Sequence, residues 1–140
     1  MTPNSKPARR PIGEIWKAGL IGAGIAAIIN VVLYLLGRAL GSFPPTALTP
    51  MGRPVDAVGT AVFSVLGVLA GAVVYTILTR LMVTARANRW FLIVAVIVLV
   101  LMAPSPLAVP GAPASQIVIM EIMHLVAGIS AIYFLTRWKQ

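Results

Sequence analysis

The chain has 140 residues, 59% of them hydrophobic and 10% charged, with a mean hydropathy of +0.97. That balance excludes an ordinary water-soluble domain, which needs far more charge to cover its surface, and the absence of cysteine removes disulfides, thiolate catalysis and cysteine metal centres. The net charge of +8 would suit nucleic acid, but the basic residues flank hydrophobic runs, so they read as topology signals and contacts to anionic lipid; no nucleic-acid partner is expected.

Four hydrophobic segments follow one another. The first, about residues 18–40, reads AGLIGAGIAAIINVVLYLLGRAL, behind a basic tail spanning residues 1–17. A cleaved signal peptide competes with a retained helix here, but the apolar run exceeds the usual ~7–15-residue core of such a signal. The second segment covers about residues 57–79, the third about 90–108 and the fourth about 115–136, leaving a short tail at 137–140. Each approaches the roughly 20 apolar residues that a membrane helix needs. The third is the shortest, because Pro104 and Pro106 mark its exit. Short connections make consecutive helices antiparallel. The expected fold is all-α: a polytopic membrane protein built as an antiparallel four-helix transmembrane bundle.

Charge gives an orientation. Lys6, Arg9, Arg10, Lys17, Arg80, Arg86, Arg89, Arg137 and Lys139 fall on one side, and only Arg38 and Arg53 on the other. The positive-inside rule then places both termini in the cytoplasm, and Trp16, Trp90 and Trp138 all sit at that same border, where indole favours the headgroup layer. The first outer loop, with Pro44, Pro45, Pro50 and Pro54, reads as a stiffened cap. Small residues mark close helix approaches: Gly22, Gly24, Ala26 and Ala27; the G-x-x-x-G pair Gly67 and Gly71; and Ala127, Gly128, Ser130 and Ala131. The third segment has no such face and is expected to present itself to lipid or a partner.

Polar residues inside these segments are the functional candidates. Asn30 lies ten residues before Leu40, and His124 nine after Ser115. Both therefore lie about 14 Å below the outer boundary, near mid-membrane. Tyr34 and Glu121 form a shallower layer, and Thr60 and Ser64 lie in the outer half of segment two. The expectation is a polar cavity open to the outside, lined by Asn30, Tyr34, Glu121 and His124 with Thr60 and Ser64 nearby. Each residue has a plainer reading as well: Asn30 as helix–helix glue, Tyr34 as packing, and His124 as a fastener between helices. His124 can serve as an axial ligand to haem or a chlorophyll-type pigment, with the glycine after it giving clearance for a flat ring. It is the only histidine, so one chain cannot hold a bis-histidine haem. The Glu121–His124 spacing is not a zinc motif, and no metal is expected.

The run GAGIAAIINVVLYLLGRALG, with its N-x-x-x-Y, together with MHLVAG, resembles an uncharacterised family of bacterial four-helix membrane proteins known only as a domain of unknown function. The resemblance implies four spans from about Ala18 to Leu135 and singles out Asn30, Tyr34, Met123 and His124; Glu121 fits its pattern less well. It implies no activity.

No nucleophile motif, phosphate loop or cofactor fingerprint is present, so an enzyme is not expected. The leading expectation is a structural or accessory subunit of a larger complex in a bacterial inner membrane, with lipids and membrane proteins, or further copies of itself, as partners. The rival is a ligand- or pigment-binding or transport module that uses the outer cavity. No cofactor is expected in the first case, and a haem or pigment at His124 is the alternative in the second.

Overall fold

The computed structural model describes residues 9–137. Helix α1 (Ile12–Ala39) begins directly after Pro11, six residues earlier than hydropathy suggested. Pro11 is extended, at φ −61° and ψ 141°, and Glu14 sits in the first turn, where a carboxylate complements the helix dipole. Hydropathy reports the part of a helix that lipid covers, not its first hydrogen-bonded turn. At 28 residues α1 is about 42 Å long, more than the ~30 Å hydrocarbon layer, so its first turns extend into the interface. It ends where Gly41 takes φ 77°, with Ser42 N–H donating to the Gly37 carbonyl at 2.8 Å and Gly41 N–H to that of Arg38 at 3.0 Å. This paired closure satisfies carbonyls that the helix end leaves open.

Helix α2 (Ala57–Leu81) is started by Asp56, whose carboxylate accepts the Gly59 N–H at 2.6 Å. Helix α3 (Thr84–Met102) also begins six residues before its expected start, because Arg86, Asn88 and Arg89 form polar opening turns rather than a loop. It stops before Pro104, and a 3-10 turn, η1 (Ser105–Ala108), follows with Pro106 buried. Helix α4 (Ala114–Thr136) returns to the end that carries both termini. Lys6, Trp138 and Lys139 lie outside the described residues, so the tryptophan border is represented by Trp16 and Trp90.

Helix α1 packs most extensively against α2 and α4, whereas α3 is held lightly by those same two helices. The contacts are made by small residues, as expected when lipid removes the hydrophobic drive between helices. A Cβ added at Gly19 would stand 3.0 Å from the Ala72 Cβ, and one at Gly22 would stand 3.1 Å from three Phe134 atoms. Ser130 Oγ also donates to the Gly22 carbonyl at 2.8 Å, tying α4 to α1 at the same approach. Ile15, Ala23, Ala26, Val68, Ala72, Tyr75, Phe91, Ala131 and Leu135 form one core. That core fills the half of the bundle nearest the termini.

The other half is less closed. Only Ala87 and Phe91 are buried along α3, both near its beginning, while Val96, Ile97, Val100 and Leu101 are exposed. Phe91 locks onto Tyr75 edge-on, with ring centroids 5.3 Å apart. The all-helical bundle with four apolar helices long enough to cross a membrane matches the expected fold class.

Candidate functional site

Asn30 is 2% exposed and stands on the face of α1 that meets both α2 and α4. Its Nδ2 donates to Ser64 Oγ at 2.9 Å and to the Met123 carbonyl at 3.1 Å. Ser64 Oγ in turn donates to the Thr60 carbonyl at 2.7 Å, and Thr60 Oγ1 to the Asp56 carbonyl at 2.8 Å. This chain of bonds fixes the sense of the Asn30 amide. A carbonyl can only accept, and the Ser64 proton is already committed to Thr60, so Nδ2 must face both neighbours. Oδ1 is left without a partner among the described residues.

Beside this amide runs a cleft of about 690 Å³ between α2, α3 and α4. Along α2 it extends from Gly59 to Val74, about 22 Å of helix. Leu99 and Val98 form the α3 wall, and Met120, Met123, His124 and Ala127 the α4 wall. The loop from Thr49 to Asp56 lies across the end away from the termini. That loop is tied to itself by Thr49 Oγ1 donating to the Arg53 carbonyl at 2.7 Å, and it turns at Gly52 with φ 71°. Phe63, Leu66, Val98 and Met102 line the cleft and are also exposed, so it opens sideways between α2 and α3. Met51, Arg53 and Pro54 of the loop also line the cleft and are exposed, at the end where the opening was expected.

Four of the six expected polar residues border this cleft: Asn30, Thr60, Ser64 and His124. Asn30 stands within one residue of the level of His124, since its amide bonds the carbonyl of Met123. The shallower pair does not join them. Tyr34 is buried, but it packs on Phe43 with ring centroids 5.0 Å apart and lies outside the cleft. Glu121 is half-buried and also outside it, although His124 is only three residues away. Equal depth did not imply equal rotation. His124 itself is partly buried, and its Nδ1 is covered and unpartnered among the described residues.

The clearance expected beside His124 is occupied. Gly128, one turn on, borders the cleft, but a Cβ there would stand 2.7 Å from Leu99 Cδ1. The α3 side chain fills the space in which a flat ring would lie against that glycine. No group of three histidine or carboxylate side chains that could hold a metal ion occurs among the described residues.

The glycines of G-x-x-x-G divide the work. Gly71 faces Ala131, Phe91 and Leu135 at ordinary contact distance, inside the bundle. Gly67 borders the cleft, with nothing within 4 Å of an added Cβ. Two further polar features escaped the sequence reading. Gln116 is 1% exposed with Oε1 unpartnered, near the start of α4. At the opposite end, the Tyr75 hydroxyl donates to Asn88 Oδ1 at 2.5 Å, Asn88 Nδ2 donates to the Thr136 carbonyl at 3.4 Å, and Arg10 donates to the Leu135 carbonyl. Asn88 sits in what hydropathy reads as a loop, and that hid it.

Together the four apolar helices, the small-residue contacts and the interhelical bonds of Asn30 and Ser130 define a multi-pass membrane-protein architecture. Within that class, the chain belongs to the DUF6069 family, a family of unknown function, whose pattern matches residues 10–140. Neither a curated protein nor a solved structure matches it.

Proposed function

We propose that this protein is a membrane-embedded binding module whose α2–α3–α4 cleft takes a small, largely apolar ligand. The observation that carries this reading is the cleft itself, about 690 Å³ and floored in part by the packed core at Phe91 and Ala131. Packed interiors leave few voids larger than a water molecule, while ligand pockets fall at roughly 300–1,000 Å³. A mostly apolar wall with a few polar atoms is the usual composition of such pockets. The lateral opening suits a ligand that arrives through the hydrocarbon layer.

The test is purification in mild detergent followed by native mass spectrometry and an absorption spectrum. A small molecule retained by the wild type and lost in Gly67→Leu supports the reading, since Gly67 has open space on the cleft side. A visible absorption band lost on His124→Phe assigns that molecule as a haem or pigment. A wild type that retains nothing, with partner proteins in fixed ratio instead, refutes it in favour of an accessory subunit. That second reading rests on α3, whose exposed apolar length offers a lateral contact surface.

In the same proposal both termini lie in the cytoplasm, supported by the nine basic residues on their side. The cysteine-free chain makes this simple to check. A cysteine placed at Met51 should react with a membrane-impermeant maleimide on intact cells, and one at Thr84 should not.

A further inference from the structure

We propose that the cleft's ligand is a hydroxyl-bearing amphiphile, recognised at mid-membrane through Asn30 Oδ1; this rests on the cleft being a ligand site. Asn30 Nδ2 is consumed by Ser64 Oγ and the Met123 carbonyl, so the side chain has only an acceptor left to offer. That acceptor is buried on a residue bordering the cleft, and a buried acceptor without a donor is costly in a membrane interior. Its complement must bring an N–H or an O–H.

A second unpartnered atom, on the α4 wall of the same cleft, narrows the choice. His124 Nδ1 either donates or accepts, according to which ring nitrogen holds the proton. A hydroxyl both donates and accepts, so it satisfies Asn30 with its proton and leaves lone pairs for an imidazole N–H. A carboxylate or an ether has no proton for Asn30, and an ammonium has no lone pair and would carry an unpaired charge to mid-membrane. Both atoms have almost no surface of their own, so the hydroxyl reaches them by displacing a neighbouring side chain. Met120 and Met123, unbranched thioethers in that wall, are suited to moving.

The shape supplies the rest of the ligand. From Ser64, the residue bonded to Asn30, the cleft continues along α2 past Gly67 and Gly71 to Val74, about 15 Å of helix with small or apolar side chains. An extended hydrocarbon chain fits that run, with its hydroxyl at the Asn30 level and its tail toward the termini end. Gly67 leaves the chain room.

The experiment titrates the full-length protein in detergent with dodecyl alcohol and, separately, with dodecyl methyl ether, reading occupancy by native mass spectrometry. The alcohol is expected to bind about tenfold more tightly than the ether, the scale of one hydrogen bond. Asn30→Ala is expected to remove that preference, and Gly67→Leu to abolish binding of both. Equal binding of alcohol and ether, both blocked by Gly67→Leu, overturns the hydroxyl inference while leaving the cleft as a ligand site. Failure of both probes to bind saturably, or binding unaffected by Gly67→Leu, overturns the cleft reading and the inference with it. If Asn30→Ala does not fold, the alcohol–ether comparison on the wild type decides alone.

Discussion

Asn30 is where stability and recognition meet, and replacing it separates the two. Asn30→Ala removes both Nδ2 hydrogen bonds, to Ser64 Oγ and the Met123 carbonyl. Interhelical bonds of this kind average about 0.6 kcal/mol and reach about 1.7, so the pair contributes roughly 1–3 kcal/mol. Neither partner is stranded by the change. Ser64 still donates to Thr60, and Met123 O belongs to a backbone carbonyl inside α4, which puts the loss at the low end of that range. Truncating a fully buried side chain adds a small void. Deleting the unpartnered Oδ1 works the other way, returning about 1 kcal/mol of desolvation cost. Asn30→Ala should therefore destabilise the bundle by about 1–2 kcal/mol. Asn30→Leu keeps the volume, loses the same bonds and removes the same orphan, and should lie within about 1 kcal/mol of wild type. The assay is reversible unfolding in mixed micelles followed by far-ultraviolet circular dichroism, with Ser64→Ala completing a double-mutant cycle. A loss of more than about 3 kcal/mol in Asn30→Leu would mean that Oδ1 is well partnered without any ligand, and would refute its role as a free acceptor.

Three other outcomes follow from the same geometry. Gly22→Ala should destabilise by about 1–2 kcal/mol, because Phe134 must move, whereas Gly24→Ala, with open space, should be neutral or up to about 1 kcal/mol stabilising; the same unfolding assay ranks them. Tyr75→Phe should cost about 1 kcal/mol and Asn88→Ala somewhat more, because the second also loses the long bond to the Thr136 carbonyl; the two should be non-additive in a double-mutant cycle through the 2.5 Å bond between α2 and α3 that both remove. Additive losses there would show that the two residues act separately. Glu121→Gln should leave probe binding in the cleft unchanged, because Glu121 does not line it; weakened binding by native mass spectrometry would return Glu121 to the site.

The G-x-x-x-G pair shows how far a spacing rule reaches. It identified α2 as a helix able to come close to others, and Gly71 does so against Ala131. It had no means of separating Gly71 from Gly67, four residues away on the same face, because that depends on where α3 departs from the bundle. The polar layers behave likewise. Counting residues from the helix ends placed Asn30 at the depth of His124, since depth follows from the fixed rise per residue, and the Asn30 amide bonds the carbonyl of the neighbouring Met123. The same counting put Tyr34 with Glu121, and the structure turns Tyr34 onto Phe43 instead.

Composition, hydropathy and the prolines by themselves determined the class, the number of helices and the approximate depth of each polar group. Those properties are set by transfer from water to lipid and by helix rise, both local to a segment. Helix rotation, the partial detachment of α3 and the resulting cleft belong to the tertiary structure alone. They are decided by the summed contacts of small and aromatic side chains from three or four helices at once, among them Leu99 against Gly128 and Phe91 against Tyr75. In lipid no difference in solvation singles out the inward face, so an apolar sequence carries little record of which way it turns.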